Sequence, residues 1–528
     1  MTPAPQPGRR RAHFVLCLLG ALALVCAHAV PAAAGAPRTE GPRTPSPAAV
    51  DALVEEYREA TGLPGAAVVL THGTEVVHAR GYGETPGGEP VTEHTPMAVA
   101  SLSKSVTALA VVQLAEAGAL ALDDPVREHL PEFTMADPRA DRITVRRLLD
   151  QTSGMSDTEF ASYSRGRSTL TLRQSVADLR DVRLAAEPGT RWEYHNPNFQ
   201  VAARLVEVVG GRSFADHLAE RVFAPLGMDD STTIDTDLDL PPSARGHVLL
   251  LGRAFAADEP RGFGNGSGGV VSTAADMGAW LVANTNGGRG PDGTRVLSAE
   301  GVRSLHSPSR VSGSYALGWS LDETSSGAPV VEHGGDLLTA TAHQALLPES
   351  GHGVAVMANA GGSVAGAGPL AAALVDLIDS GSAPAPPTGT AASALDAVLL
   401  ALGAAAVPLA WRGVRRARVW ALARTGRPWW AVSARLLPYA APPLLLAVLH
   451  EVVGRLFGGR DVAWFQVPYL FTSFWIALLL TALSCVAVVA ARLVHVAAGR
   501  RRGAAGAAGD AGGAGAGLSG PDSRGRTS

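Results

Sequence analysis

The chain has 528 residues, 46% of them hydrophobic and 17% charged, a balance too apolar for one soluble enzyme and one that predicts membrane segments beside a large globular part. The formal net charge of −4 hides an uneven distribution, but no basic block lies in the globular region, which argues against nucleic acid as a partner. The three cysteines, Cys17, Cys26 and Cys485, fall in apolar segments, and histidines such as His72, His343 and His352 lack paired ligand spacing, so neither a disulfide framework nor a metal site is expected.

Residues 1–35 place Arg9, Arg10 and Arg11 before an apolar run from Phe14 to Val30 and the small residues Ala32, Ala33, Ala34 and Gly35, the pattern of a secretory signal. Cys26 follows Leu24 and Val25, a poor lipid-attachment box. Residues 36–48 read as an exported linker. Residues 49–380 then show the pattern of a mixed α/β domain. Leu53 to Ala60 predicts a helix, and Gly65 to Leu70 and Glu75 to Tyr82 predict strands joined by His72-Gly73-Thr74. A helix is expected from Ser101 to Ala117, where Gly118 supplies a stop, with others over Thr144–Leu149, Phe199–Val209 and Ala275–Ala283. Val330 to Glu332 and Gly353 to Ala358 read as strands, and Leu370 to Ile378 as a helix. Strands at both ends around a helical middle predict one sheet built from both ends of the domain, with a helical insertion.

Residues 381–391 are a Pro-rich linker, and 392–498 form a membrane region with three helices expected at about 392–411, 434–453 and 469–491. The middle candidate is interrupted by Pro438, Pro442 and Pro443. The segment from Arg412 to Arg435 holds seven arginines and no acid, the loop after the middle candidate balances Arg455 and Arg460 against Glu451 and Asp461, and Arg492, Arg500, Arg501 and Arg502 follow the last candidate. Placing both Arg-rich segments in the cytoplasm requires three spans, with the globular domain outside the cell and the C-terminus inside. Trp411, Trp420, Trp429, Trp430, Trp464 and Trp475 lie mostly near the expected boundaries, as interfacial anchors would. Residues 499–528 form a Gly/Ala-rich tail expected to be disordered.

Lys104 stands out within the α/β domain because it is the only lysine among 44 basic residues; the rest are arginine. Lysine can lose its proton when buried, whereas arginine stays charged to about pH 12 or beyond. Ser101 precedes Lys104 by three residues, so at a helix start the two share a face, and the positive helix N-terminus favours an alkoxide-like oxygen beside an uncharged amine. Bringing a lysine pKa from about 10.4 to about 7.4 takes roughly 4 kcal/mol of differential stabilisation, within reach of burial plus such a field.

With Ala100-Ser101-Leu102-Ser103-Lys104-Ser105, several further motifs occur in order: Leu122-Asp123-Asp124-Pro125-Val126 followed by Leu130-Pro131, Ile143 to Leu149 followed by Thr152-Ser153-Gly154-Met155, Tyr194-His195-Asn196, Pro225-Leu226-Gly227-Met228, Tyr315 to Trp319, and His333-Gly334-Gly335. Together they resemble the serine β-lactamase and penicillin-binding superfamily, specifically its class C β-lactamase, DD-carboxypeptidase and esterase branch, over about Ala49 to Ile378. The resemblance implies an antiparallel sheet flanked by helices plus an all-helical subdomain, the β-lactamase/DD-peptidase fold, here followed by the three-helix transmembrane region.

The same resemblance implies the roles. Ser101 would form an acyl-enzyme, Lys104 would take or relay its proton, and Tyr194 would protonate the leaving group. Asn196 would hydrogen-bond a substrate amide or hold the lysine, and the backbone N–H groups of Ser101 and Asp336 would form an oxyanion hole. Gly334 and Gly335 would let substrate backbone approach, and His333 would orient a substrate carboxylate in place of the more usual lysine. Two further departures are Asp150-Gln151, where the family usually has Thr-His, and Asp336 to Thr339, which lacks a glycine common just beyond the third motif. No cofactor, metal or protein partner is expected; the partners are a small-molecule or peptide acyl substrate and the lipid bilayer. The implied activity is hydrolysis of an amide or ester, such as a D-Ala-terminated peptide. The alternative is a β-lactam or cell-wall-peptide receptor that acylates slowly and signals through its helices.

Overall fold

A computed structural model describes residues 42–362 and 365–513. The expected signal segment lies outside the described residues, as does the tail beyond 513. The chain divides into two units, one running to Leu395 and including His450–Phe471, the other formed by Asp396–Leu449 and the residues from Thr472 onward.

The first unit is built on a six-stranded antiparallel sheet. Helix α1 (Pro47–Thr61) leads into β1 (Gly65–His72) and β2 (Glu75–Gly83); the other strands come from the far end of the unit, as β3 (Ser320–Glu323), β4 (Pro329–Asp336), β5 (Thr341–Leu347) and β6 (His352–Ala358). Their order across the sheet is β2-β1-β6-β5-β4-β3. The two ends of the unit therefore meet where β1 pairs with β6, with Ala66 opposite Ala358 and Leu70 opposite Val354. That is the sheet the sequence pattern predicts.

Alternation along β1 shows how the sheet is covered. Ala66, Val68 and Leu70 pack into a cluster with Val54, Leu370 and Leu374 from the helices on one face. Ala67 and Val69 point into a larger cluster on the other face, shared with Leu109, Phe199 and Trp280. Successive side chains of a strand leave opposite faces, so a strand covered on both sides reads as an almost unbroken apolar run. The covering helices include α5 (Ala367–Ser380) on the first face and α2 (Ser103–Glu116), α3 (Asn196–Gly210) and α4 (Ala274–Thr285) on the second. Gln344 of β5 ties the second face together by accepting from Trp280 Nε1 at 2.9 Å and donating to Ser105 Oγ at 2.9 Å.

Among the described residues, three helices are long and apolar enough to cross a membrane: Thr390–Arg415, Trp429–Leu456 and Thr472–Ala505. The middle one passes through a 3₁₀ turn over Leu437–Ala440, where its prolines begin. The last is the leading part of a helix that continues to Gly513. Residues 499–513, expected to be disordered, are therefore helical: the helix begun at Thr472 runs on through their alanines and arginines despite the glycines among them.

Leu109 is buried in α2 among the residues of the larger core. Leu109→Ala should destabilise the first unit by about 2–5 kcal/mol, read as a shift of the denaturant midpoint at unchanged slope.

Candidate active site

The turn that carries Ser101 is held under constraint. Ala100–Leu102 form a 3₁₀ turn ahead of α2, and Ala100 has φ +47°, a left-handed conformation that a residue with a Cβ rarely adopts. Ser103 pins the turn by donating from Oγ to Ala100 O at 2.6 Å and accepting from Val270 N at 2.9 Å. Lys104 follows on the first turn of α2, three residues after Ser101, so the two side chains share a face.

Lys104 Nζ lies 3.0 Å from Ser101 Oγ and donates to Ser267 O at 2.6 Å. The side chain is completely buried, with Nζ 4.8 Å from the Tyr194 ring centroid and 5.8 Å from that of Phe199. Burial, reinforced by the positive charge of Arg460, pushes the Lys104 pKa well below its ordinary 10.5. Burial raises the Tyr194 pKa well above the usual 10, outweighing the opposing pulls of Ser101 and Arg460. These directions favour an uncharged amine able to accept a proton and an intact phenol able to give one.

Tyr194 sits in the loop just before α3, fastened on both sides by Gln151. Glu193 N donates to Gln151 O at 2.9 Å, and Gln151 Oε1 accepts from His195 N at 3.0 Å and Asn198 Nδ2 at 2.5 Å. Gln151 itself has φ +60°. Beside it, His195 Nδ1 lies 2.8 Å from Asp157 Oδ1, both side chains buried, and Asp157 Oδ2 accepts from Arg460 Nε at 2.8 Å. Burial opposes ionisation of Asp157, yet His195 and Arg460 prevail and hold its carboxyl down to about 2.

The other wall is the end of β4. Its ladder with β3 stops at Glu332, paired with Ser320, so the edge from His333 to Asp336 extends beyond β3. A Cβ on Gly335 would fall 2.6 Å from Val99 O and 2.9 Å from Ser101 N. Glycine there lets β4 pack on the nucleophile turn and puts the strand end against the Ser101 amide, where the expected oxyanion donors would lie. At Gly334 a Cβ would meet only His343, at 3.4 Å, so nothing in the fold requires glycine at that position.

Two expected roles change. His333 is buried and contacts Tyr315 Oη through Nε2 at 3.2 Å and Gly334 O through Nδ1 at 2.6 Å. Burial first, and Lys104 next, push its pKa down to about 3, so it carries no charge with which to hold a carboxylate near neutrality. Asn196 makes no hydrogen bond to Lys104, whose Nζ is taken by Ser267 O, and its buried Oδ1 has no partner among the described residues. That oxygen can accept from a substrate amide, the other role expected of Asn196.

Residues 50–377 match the family model described as Beta-lactamase. The chain belongs to the Beta-lactamase family. It is similar to penicillin-binding protein 4 of Amycolatopsis lactamdurans, with 32% identity over 326 residues, 59% of this chain and 84% of that protein. It is also similar to protein flp of Staphylococcus aureus, with 25% identity over 317 residues, 59% of this chain and 62% of the relative, so it spans less than two thirds of that protein. Among solved structures it is similar to a D-stereospecific amidohydrolase from Streptomyces sp., with 26% identity and a TM-score of 0.52 over 64% of this chain and 100% of the other.

Within this β-lactamase-family domain, the unusual Asp150-Gln151 pair has a structural use. Asp150 is buried and bonds Thr152 N at 3.1 Å and Thr152 Oγ1 at 2.6 Å, while Gln151 carries the Tyr194 loop. Sequence reasoning noted the pair only as a departure and did not single out Asp157, Ser267, Tyr315 or Arg460 as parts of the site. Gly335→Ala should displace the Ser101 turn and slow its acylation about 100-fold, measured by a serine-reactive fluorophosphonate, while the far-ultraviolet circular dichroism stays unchanged.

Proposed function

We propose that the chain is an exported, membrane-anchored serine hydrolase that takes an acyl group from an amide or ester onto Ser101 and passes it to water. The observation that carries this reading is the buried Lys104 amine 3.0 Å from Ser101 Oγ, its pKa driven down. Ser101 Oγ bonds to the acyl carbon as Lys104 Nζ takes its proton. The oxygen of the tetrahedral intermediate is received by the N–H groups of Ser101 and Asp336, and Tyr194 gives a proton to the departing amine or alkoxide. Water then attacks the ester along the same path in reverse, regenerating Ser101. Lys104 and Tyr194 act as a coupled pair, so a kinetic pKa belongs to both.

The first substrate class is a cell-wall peptide ending in D-Ala; a small ester or a D-amino-acid amide is the next. The likeness to a penicillin-binding protein and to a D-stereospecific amidohydrolase supports this order. The arginine distribution supports a catalytic unit outside the cell and a cytoplasmic C-terminus, with the three apolar helices as the anchor.

A panel of D-Ala-terminated peptides, D-amino-acid amides, simple esters and a fluorescent β-lactam tests the reading on the full-length protein. Multiple turnovers on one class are expected. Labelling that persists without turnover would favour the receptor alternative, and no Ser101 labelling by any acyl donor would remove both. Lys104→Arg keeps the charge but cannot give it up, so it should abolish nearly all acylation while leaving the fold intact. Substantial activity in that variant would contradict the role given to Lys104.

A further inference from the structure

The segment that joins the second and third apolar helices belongs to the catalytic unit. Gly458 and Gly459, with φ of +71° and +88°, turn the chain back on itself, and Gly459 N bonds Gly454 O at 3.0 Å. The turn delivers Arg460, whose Nε donates to Asp157 Oδ2, and Asp461, whose backbone N donates to the same oxygen at 3.2 Å. The other Asp157 oxygen is already shared by His195 Nδ1 and Ser162 Oγ. Asp157 thus anchors the segment and fixes the near end of the Arg460 guanidinium.

The far end is open. The guanidinium carbon stands 4.9 Å from the Tyr194 ring centroid and 5.9 Å from that of Tyr163, and the side chain is 32% exposed. Nη1 and Nη2 have no hydrogen-bond acceptor among the described residues. They border a cleft of about 700 Å³ lined by Trp192, Glu193 and Tyr194 on one side and by Phe457, Gly459 and Arg460 on the other. Of the other charged lining residues, Arg191 and Glu193 are paired with each other, Glu193 also accepts from Ser156, and Glu159 is exposed. A guanidinium with Nε engaged and both terminal nitrogens free presents the planar fork that a carboxylate fills with two parallel hydrogen bonds. His333 does not line this cleft and is held neutral, so the fixed positive charge beside Tyr194 is that of Arg460.

We propose that the Phe457–Arg460 turn completes the acyl-donor site and that Arg460 is a specificity-determining residue that grips a carboxylate of the substrate in the cleft beside Tyr194. This rests on the acyl-enzyme reading of Ser101 given above. It also gives the region between the apolar helices a part in substrate selection as well as anchoring.

The test uses the full-length protein in detergent and two chromogenic esters alike except that a carboxylate in one is a carboxamide in the other. Arg460→Gln is expected to raise KM for the carboxylate ester about tenfold or more relative to KM for the neutral ester, whereas any fall in kcat from losing the charge beside Lys104 is shared by both esters and cancels in their ratio. Arg460→Lys should restore part of the preference. Fluorophosphonate labelling of Ser101 in each variant reports whether the site has folded. An equal effect on both esters, or no preference for the carboxylate in the wild type, overturns the proposal. If Arg460→Gln loses labelling, Arg460→Lys decides: a several-fold loss of carboxylate preference supports the fork, and an unchanged preference overturns it. Absence of Ser101 labelling in the wild type removes the acyl-enzyme reading, and this inference with it.

Discussion

The constraint on which the site depends is the burial of one amine. Lys104 lies on the first turn of α2, completely enclosed, with a serine hydroxyl, a backbone carbonyl and two aromatic rings around its Nζ. A charged ammonium there loses its hydration and faces the positive charge of Arg460, so the proton is destabilised and the neutral amine favoured. Arginine could not answer the same environment by deprotonating, which gives a physical reason for a chain otherwise written with arginine to keep one lysine. The surroundings serve to hold that amine in place. The strained turn at Ala100 sets Ser101 above it, Gln151 fastens the Tyr194 loop beside it, and the packing of Gly335 on Ser101 closes β4 over it.

Much of this was legible in the sequence because it is local or strongly patterned. The three-residue spacing of Ser101 and Lys104 fixes their common face, and the unbroken apolar run of β1 follows from a strand covered on both sides. Other elements left little trace. Strand β5, Thr341–Leu347, contains two alanines, a histidine and a glutamine, which have little preference for a strand by themselves; it is a strand because β4 and β6 flank it. β3 is short and acidic at the sheet edge and gives no alternation signal.

The residues missed in the site were missed for a related reason. Gln151, Asp157 and Arg460 act by reaching across the fold, and Asp157 and Arg460 are 303 positions apart, a separation that no local pattern reports. The role of His333 changed because charge depends on burial, which its motif does not encode. The charge count of the loop around Arg460, read as neutral and therefore external, is compatible with the place it takes in the catalytic unit, but the count could not show that one of its arginines meets the active site.

Because Lys104 is the only lysine, its protonation can be followed without overlap. Protein made with ε-¹³C-lysine should show one lysine side-chain resonance by NMR, and its shift against pH reads the titration at Nζ directly. A midpoint well below 10.5 is expected, with the amine uncharged on the alkaline side of it. A midpoint at about 10.5 would mean that Lys104 remains an ammonium through the working range and cannot act as the base for Ser101.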